Sequence, residues 1–484
     1  MHWHGYLAPL RRRTGTRVAL TALGLLPACA TSAERRAHSQ FDAATSSPLG
    51  IASRPRDASA EAATRRGNDV RDFDGSLRSY LRYALEHSPE LRAQFLQWRA
   101  STSRISIARR WPEPTLTYAF FVRSVETRVG PQRHRFGISQ TIPWPSKLGA
   151  AADAAAYAAG SERQRLEADA LIMKERVARA YFNLWLIEQQ RKVLADQQRI
   201  TQQFARLTEA RLEVGKAALS DLNQINLKLS RIVDSLAALD EERRVASARL
   251  RATIGHPGVG PLPILDAPVA ARLPAESEAE LLRSALEHPR IDALELMAKS
   301  RRERARAADA DRYPGFVVGA EYIETGESEM SPAPEDSGKD PIVVSLAVRL
   351  PIWFDNYGDA AAAERAESAV MLSRATAARY DARAELEAAL SKLRDAVRRT
   401  HLYEKTLVPQ AWAAYESVIG GYAADRSSFA AALLAEQELL ELQMALYEAH
   451  AEAATTWARL EALVGRPVQG QPDSEPSARE ERTP

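Results

Sequence analysis

The chain has 484 residues, with 65 Lys and Arg against 63 Asp and Glu, and a single cysteine. The formal net charge of +2, without a long basic run, argues against a nucleic-acid-binding protein. One cysteine excludes an intramolecular disulfide and also a thiolate metal cluster built within one chain.

The first 28 residues have the pattern of a secretory signal. Several arginines and no acidic residue accompany an apolar run from Val18 to Ala28, which is too short to span a bilayer. Cys29 follows directly, and LPAC resembles a bacterial lipobox, in which the cysteine becomes the lipidated first residue. We therefore predict a signal peptide at residues 1–28 and a lipid anchor, including palmitate, on Cys29. The alternative is an ordinary signal peptide with a chance cysteine nearby.

Two segments have too few apolar residues to offset the entropy of ordering them. We predict a disordered tether that follows the lipidated N-terminus, over residues 29–72, and a disordered tail over residues 467–484. Elsewhere the sequence has no apolar run of the length that a transmembrane helix requires.

The body of the chain is an internal duplication, in which landmarks recur in the same order about 200 residues apart. We assign a first repeat to residues 73–257, a linker to 258–280 and a second repeat to 281–466. The matching landmarks are 84–87 and 285–288 (ALEH in both), 111–112 and 313–314 (WP and YP), 142–144 and 350–353 (IPW and LPIW), and 254–257 and 464–467 (IGHP and VGRP).

Each repeat begins with helices and continues with two segments of alternating apolar and polar residues, which predict β-hairpins at about 113–143 and 315–352. One face of each strand is apolar, which suits a half-buried strand and equally a transmembrane barrel strand. The apolar faces comprise Leu116, Tyr118, Phe120 and Val122; Phe136, Ile138 and Ile142; Phe316, Val318, Ala320 and Tyr322; and Ile342, Val344, Leu346, Val348 and Leu350.

Long helices follow each hairpin. Apolar residues spaced by three and four predict coiled-coil hairpins at about 150–254 and 358–464. Four strands cannot close a membrane barrel, whereas three chains would provide twelve. We therefore predict a mainly α protein with a small β part: duplicated long antiparallel coiled-coil helices forming an α-barrel, and four transmembrane strands per chain forming a 12-stranded barrel in a homotrimer.

With these features the chain resembles the TolC-like family of outer-membrane efflux channels, over about residues 75–466. The resemblance is greatest to the branch associated with heavy-metal and cation efflux. It rests on SQTIPWPSKLGA at 139–150, LPIW at 350–353, LVPQA at 407–411, where the proline should kink a helix, and RLEVGKAALSDL at 211–222.

The resemblance implies a passive exit duct of a tripartite efflux system, in the outer membrane of a Gram-negative bacterium, with a periplasmic helical tunnel. Its partners would be two further copies of the chain, a periplasmic adaptor (membrane fusion) protein, an inner-membrane pump of the RND type and outer-membrane lipid. Metal cations are the implied substrates. No cofactor and no bound metal is expected.

Three other functions are less consistent with the sequence. A non-transporting coiled-coil lipoprotein would not need alternating apolar strands in both repeats. An adaptor subunit carries one coiled-coil hairpin flanked by β-rich domains, and this chain has two hairpins and four strands. An enzyme is disfavoured because the sequence has no metalloprotease, nucleophile-elbow or P-loop motif.

The resemblance also assigns helix-turn-helix tips that face the adaptor. These residues are Val214, Gly215, Lys216, Ser220 and Asp221 in the first repeat, and Asp425, Ser427 and Ser428 in the second. Asp221 and Glu436 are candidate carboxylates at the channel entrance, where three symmetry copies would favour cations. From the residues alone, Gly215 fits a helix end with positive φ, and Ser220 or Asp221 fits the cap of the next helix. A capping role would by itself explain the aspartate at position 221, without any role at the entrance.

Overall fold

The computed structural model describes residues 31–46, 73–265 and 271–471. The predicted signal peptide and Cys29 lie outside these residues. The predicted fold class is confirmed, because the described parts are mainly helical with a small antiparallel sheet of four strands.

Both repeats have the same order of elements. The first contains α2 (Leu77–His87), α3 (Pro89–Arg109), β1 (Thr115–Val125), β2 (Gln132–Ile142), α4 (Pro145–Glu213) and α5 (Leu219–Ile254). The second contains α6 (Glu278–Leu286), α7 (Pro289–Asp309), β3 (Gly315–Thr325), β4 (Ile342–Arg349), α8 (Phe354–Leu402), α9 (Val408–Ala423) and α10 (Phe429–Val464). An additional helix, α1 (Ser32–Ser46), precedes the first repeat.

Local signals explain where the helices begin and end. The Ser88 side chain accepts a hydrogen bond from the Leu91 amide, and Pro89 occupies the first turn of α3, where its missing N–H costs nothing. Gly255 ends α5 with φ +72°, and a Cβ there would come within 3.1 Å of Pro89 Cδ. The junction between α2 and α3 therefore packs closely against the end of α5.

The helix α4 sets the dimensions of the molecule. Its 69 residues contain no proline beyond the first turn, and at 1.5 Å per residue they extend about 100 Å. The sheet lies at the start of α4 and the turn to α5 at its end, so about 100 Å of helix separates them. Within the described segments, no helix combines the length and apolar character needed to cross a membrane.

A first core lies midway along α4. Val177, Leu184 and neighbouring residues of α4 pack against Tyr80 of α2 and Leu250 of α5. Two buried tyrosines complete it with hydrogen bonds to loop carbonyls: Tyr80 donates to Pro263 O at 2.6 Å and Tyr181 to Gly75 O at 2.8 Å. A second core in the other repeat joins Leu281 of α6, residues of α8 and Leu460 of α10.

The helical column of the second repeat is interrupted at a proline. A π-helical turn, Tyr403–Leu407, separates α8 from α9, and Pro409 lies in the first turn of α9. Because proline removes one backbone donor, the ladder of hydrogen bonds is rearranged there. This is the interruption that the LVPQA segment predicts.

The four strands pair in the order β1-β2-β3-β4, all antiparallel, and the β2–β3 pairing joins the two repeats. The register brings the predicted apolar residues of all four strands onto one face. Two cross-strand rows of this face are Leu116, Ile138, Ala320 and Val344, and Tyr118, Phe136, Tyr322 and Ile342. The opposite face has the rows Thr117, Gly137, Glu321 and Val343, and Thr115, Ser139, Gly319 and Ser345.

The apolar face is left open in the protomer. Leu346 has 67% of its surface exposed, and other apolar residues of this face, such as Leu116 of β1 and Val344 of β4, are 79% and 77% exposed. β1 and β4 are the edge strands of the sheet, and the outer edge of each has no paired strand among the described residues. An apolar face of this size with two free edges marks a contact surface.

The predicted disordered tether is wrong for residues 32–46, which form α1. Ala33 and Ala37 pack against Ile105 of α3 and against two alanines of α4. Phe41 makes an edge contact with Trp98, with ring centroids 5.2 Å apart. These few apolar residues are enough to hold α1 against α3 and α4, because they recur at every fourth position and so share one face of the helix. Alanine also permits a close approach of the backbones.

The predicted disordered tail is wrong for residues 467–471. The Gln471 amide donates to Leu273 O at 2.8 Å, and Gln469 O accepts from the Ala275 amide at 2.9 Å. Val468 is buried in the second core. The segment is ordered because it pairs with residues of the linker, nearly 200 positions away in sequence, which local composition does not reveal.

Substitution of Ala37 by arginine should release α1 from the helical column, since a charged side chain cannot be accommodated against Ile105. Hydrogen exchange of residues 31–46, followed by mass spectrometry, should become faster by about tenfold or more. Gln40→Arg on the exposed side of the same helix serves as the control. Unchanged exchange in Ala37→Arg would refute the docking of α1.

Candidate functional site

The predicted tip residues lie in or next to two helix turns at the end of the molecule opposite the sheet, whereas Glu436 lies further along α10. Tip 1 is the turn at residues 214–218 between α4 and α5, and tip 2 is the turn at residues 424–428 between α9 and α10. Gly215 in tip 1 has φ +71° and Asp425 at the matching place in tip 2 has φ +58°. Aspartate is among the few residues other than glycine that adopt this conformation readily.

Asp425 links the two tips. Its carboxylate accepts hydrogen bonds from Arg211 Nη2 and from Lys216 Nζ, the latter at 2.7 Å. The Lys216 ammonium and the Arg211 guanidinium lower the pKa of the Asp425 carboxyl below its usual value. One acidic side chain of tip 2 is thus held by two basic side chains of the first hairpin.

Arg211 also caps the end of α9. Its Nη1 donates to Tyr422 O at 2.6 Å, and its guanidinium carbon lies 4.5 Å from the centroid of the Tyr422 ring. The last carbonyls of a helix lack partners within the helix, so a basic side chain there stabilises the helix end. We call the contacts of Arg211 and Lys216 with Asp425 and Tyr422 the tip clamp.

An aromatic cluster lies directly beneath the tip clamp. Phe204 of α4 contacts Tyr422 of α9 and Phe429 of α10, with ring centroids 5.4 and 5.3 Å apart. Ile225 of α5 and Ala432 of α10 are buried with them. This cluster includes residues from four helices, so it packs the first helical hairpin against the second.

A buried charged layer follows further from the tips. Glu436 of α10 is 0% exposed, and its Oε2 lies 3.1 Å from Lys228 Nζ of α5. Its Oε1 accepts hydrogen bonds from Gln197 Nε2 and Thr201 Oγ1 of α4. Burial, and to a smaller extent the Glu436 charge, raises the pKa of Tyr415 on α9 to about 12.

The structure separates the two candidate entrance carboxylates. Asp221 is partly exposed in the first turn of α5, where its Oδ2 accepts from the Ala218 amide at 3.3 Å. Ala218 is the N-cap residue, and Asp221 caps the start of α5 through this side-chain oxygen, as the sequence predicts for Ser220 or Asp221. Glu436 is removed from the entrance candidates, because a side chain with no exposed surface within its own protomer cannot line an opening.

The other predicted tip residues have distinct local roles. Ser428 is the N-cap of α10 and accepts from the Ala431 amide at 3.1 Å. The Ser427 amide donates to Gly421 O at 3.2 Å. Val214 is 68% exposed, and so presents an apolar side chain to solvent at tip 1.

Sequence reasoning missed Arg211 and Lys228. Arg211 had one usable signal, since it is a basic residue in the last turn of α4, where a cation can reach free carbonyls. Lys228 had none, because its partner Glu436 lies in the other repeat. Among the described residues, no group of three or more His, Cys, Asp and Glu side chains is arranged to hold a metal ion.

Comparison with known proteins identifies relatives of this fold. Residues 80–256 match the family model of outer membrane efflux proteins, which confirms the resemblance to that family on the first repeat. A search of curated proteins finds no sequence match.

Solved structures match most of the chain. The outer membrane protein VceC of Vibrio cholerae is 18% identical with a TM-score of 0.66, covering 81% of this chain and 96% of its own. CusC is 16% identical, with a TM-score of 0.67 and coverages of 81% and 92%. The open state of the MtrE outer membrane channel of Neisseria gonorrhoeae is 18% identical with a TM-score of 0.65, covering 81% of this chain and 89% of its own. The TM-scores establish the fold, and at these low identities they show the fold alone. The match to the model of outer membrane efflux proteins agrees with the prediction that the chain is not an enzyme.

Asp425→Asn should loosen both tips, because asparagine tolerates positive φ but loses the charge that Lys216 and Arg211 hold. Amide exchange in both turns should be up to about fivefold faster at low salt and less affected at high salt. Glu209→Gln, an exposed carboxylate of α4, is the control. Equal exchange in Asp425→Asn and wild type would contradict the clamp.

The clamp should also depend on pH. Since the pKa of Asp425 is lowered, the wild-type clamp should persist below the usual pKa of aspartate and be lost only as pH falls through the lowered value.

Proposed function

We propose that this chain is one protomer of a homotrimeric outer-membrane channel, the exit duct of a tripartite efflux system in a Gram-negative bacterium. The observation that carries the proposal is the four-stranded sheet with one exposed and mainly apolar face, at one end of a helix about 100 Å long. Outer-membrane barrels expose such an apolar band to lipid.

The free edges of the sheet support a trimer. In a meander of four antiparallel strands, β1 and β4 run in opposite directions, so β4 of one protomer can pair antiparallel with β1 of the next. Three chains of four strands each provide twelve strands and leave no edge unpaired. A single protomer in lipid would instead leave the backbone groups of both edges without hydrogen bonds.

The second face of the sheet suits a water-filled interior. Its small and polar residues include Thr117, Gly137 and Ser139, and Arg135 forms an ion pair with Glu321 on the neighbouring strand. Charged groups of this kind are costly in lipid but are hydrated in a barrel lumen. The sheet therefore has the two faces that a membrane channel requires.

The tips are proposed as the periplasmic entrance and as the contact with an adaptor protein. Tip 1 exposes Val214, and Leu219 beside it is 61% exposed, which supports a protein contact there. The inner-membrane pump is proposed to be of the RND type and the substrates to be metal cations, both from the resemblance of the sequence to the cation-efflux branch. Asp221 remains the candidate entrance carboxylate.

The position of α1 supports lipid anchoring at Cys29. Thr31 Oγ1 hydrogen-bonds Asp153 Oδ1 at 2.5 Å, and Glu34 pairs with Arg109 Nη1 at 2.7 Å. Arg109 ends α3 just before β1, so the start of α1 lies close to the sheet. Cys29 precedes Thr31 by two residues and would therefore reach the membrane surface.

The alternative functions, a non-transporting lipoprotein or an adaptor, leave the apolar face of the sheet without an explanation.

Leu346→Arg should impair membrane assembly, because it places a charge on the apolar face at a cost of about 2–4 kcal/mol near the bilayer centre. Ala347→Arg, one residue further and on the opposite face, is the matched control. The measurement is the amount of trimer in isolated outer membranes. If Ala347→Arg is equally or more damaging, the assignment of the two faces is wrong.

The channel itself is tested by extraction from outer membranes. We expect a trimer that dissociates on heating in gel electrophoresis and produces single-channel currents in planar lipid bilayers. A monomeric, periplasmic, non-conducting protein would refute the proposed function. Growth of a deletion strain with metal salts and with drugs then determines the substrate class.

Asp221→Asn should reduce the preference of the channel for cations, since it removes one carboxylate from each of three protomers. The amide oxygen can still accept from the Ala218 amide, so the start of α5 should be preserved. Reversal potentials in a KCl gradient measure the preference, with Glu209→Gln as the control. Unchanged selectivity would exclude Asp221 from the conducting path.

A further inference from the structure

We propose that each protomer binds the headgroup of a zwitterionic phospholipid, with a phosphate and a primary ammonium group, in a cavity at the junction of the sheet and the long helices. This inference rests on the proposed function, because it requires the sheet to lie in a membrane. We call this cavity the junction cavity. It is formed by residues of α4, α7 and α8 and by the segment that joins α7 to β3.

The junction cavity lies next to the apolar face of the sheet. Its volume is about 640 Å³, within the range of small-molecule sites. Trp144 follows Ile142 of the apolar face by two residues, and it stacks on Tyr313, a wall of the cavity, with ring centroids 4.7 Å apart. Aromatic side chains at the end of an apolar band mark the boundary between hydrocarbon and headgroups in outer-membrane barrels.

The depth of the junction cavity matches a headgroup layer. Along α4 the cavity extends from Ser146, four residues after the end of β2, to Asp153, which corresponds to about 10 Å of helix. The headgroup layer of a bilayer is about 5–7 Å thick on each side of the hydrocarbon core. A headgroup can therefore enter the cavity while its acyl chains contact the apolar face.

The junction cavity is on the same side of the helical column as α1. Asp153 of the cavity accepts the hydrogen bond from Thr31, and Ala156, three residues further along α4, packs against α1. Since α1 begins close to Cys29, the proposed lipid anchor, this side of the column faces away from the lumen. The cavity is thus accessible to phospholipids of the periplasmic leaflet.

The charges of the junction cavity leave one group of each sign unpaired. Six charged side chains line it, three basic and three acidic. Four of them form two ion pairs, Arg306 with Glu303 at 3.0 Å and Arg365 with Asp309. The other two, Arg312 and Asp153, have no ion-pair partner within the described part of the chain.

A phosphoethanolamine headgroup supplies both missing charges. Its phosphate can accept hydrogen bonds from the Arg312 guanidinium, and its ammonium can donate to Asp153, whose second carboxylate oxygen is not used by Thr31. A glycerol headgroup lacks the cation. A choline headgroup has the cation but no N–H to donate, so the site should distinguish the three lipids.

Two helix glycines leave space at this site. A Cβ at Gly149 of α4 would meet no packing partner within 4 Å, and one at Gly358 of α8 would come within 3.4 Å of Arg312 Nη2. Glycine destabilises a helix relative to alanine, so neither residue is explained by its own helix. Gly149 leaves volume for a ligand, and Gly358 leaves room for the guanidinium.

Native mass spectrometry of the trimer extracted from outer membranes tests the site. In an equimolar mixture we expect up to one phosphatidylethanolamine per protomer, preferred at least about threefold over phosphatidylglycerol and phosphatidylcholine. Arg312→Gln should lower its retention about threefold or more, whereas Arg304→Gln, an exposed arginine of α7 outside the cavity, should not. Equal retention of the three lipids by the wild type, or equal retention by the two variants, would overturn the proposal.

A change of volume tests the same cavity without a change of charge. Gly149→Phe places a ring where the structure has open space and should reduce phosphatidylethanolamine retention by about tenfold. Gly149→Ala makes the same backbone change and leaves most of the volume, so it should retain the lipid. Equal retention by Gly149→Phe and Gly149→Ala would place the lipid elsewhere on the protein and refute the site.

The ammonium contact is tested by the ratio of two lipids. Asp153→Asn should bring the retention of phosphatidylethanolamine to within about twofold of that of phosphatidylglycerol, since the amide has no charge. Asp234→Asn, an exposed carboxylate of α5, should keep the wild-type ratio. An unchanged ratio in Asp153→Asn would remove Asp153 from the site.

Soluble glycerophosphoethanolamine separates a lipid site from a site for the free headgroup. At the concentration of the lipid it should not displace phosphatidylethanolamine, because it has no acyl chains to contact the apolar face. Displacement would overturn the assignment to a lipid. A trimer that conducts but retains no phosphatidylethanolamine would refute this inference alone, whereas a protein that neither trimerises nor conducts would refute the proposed channel.

Discussion

The architecture depends on the two unpaired edges of a four-stranded sheet that also exposes an apolar face. Backbone N–H and C=O groups in lipid have no water to bond with, so β1 and β4 must find strand partners wherever this face contacts a membrane. The chain has no further strand among its described residues, which leaves other copies of the same chain as partners. Three-fold assembly would then also arrange the three copies of α4, each about 100 Å long, into one tube.

The same duplication has different consequences at the two ends of α4. At the sheet, the repeats are nearly equivalent, and β2 pairs with β3 across the repeat boundary. At the tips the repeats differ: Gly215 of tip 1 has no side chain, whereas Asp425 at the matching place in tip 2 binds Lys216 and Arg211. An ancestral symmetry of the two hairpins has thus become an asymmetric contact, in which the second hairpin is held by the first.

The comparison of sequence and structure shows which kinds of contact local patterns reveal. Alternation in β4 predicted the face of Leu346 correctly, because strand geometry fixes the side of each residue without reference to the rest of the fold. The composition of residues 32–46 predicted disorder wrongly, because three spaced apolar side chains are too few to stabilise a helix alone. They become sufficient only against the surface that α3 and α4 already present. Residues 467–471 are ordered for the same reason, through their pairing with residues 273–275.

Sequence alone determined the duplicated plan, the long helices and the strand faces, since each depends on periodicity or on residues near one another in the chain, while the resemblance to the channel family located both tips. Tertiary structure decided the role of individual charges. Glu436 resembled an entrance carboxylate in sequence, but it is buried against Lys228, which is 208 positions away. Asp425 occupies the position that matches Gly215 in the first repeat, and the structure shows that it binds two basic partners. The energy of a charge depends on the dielectric and on the opposite charges around it, and these are set by residues that meet only after folding.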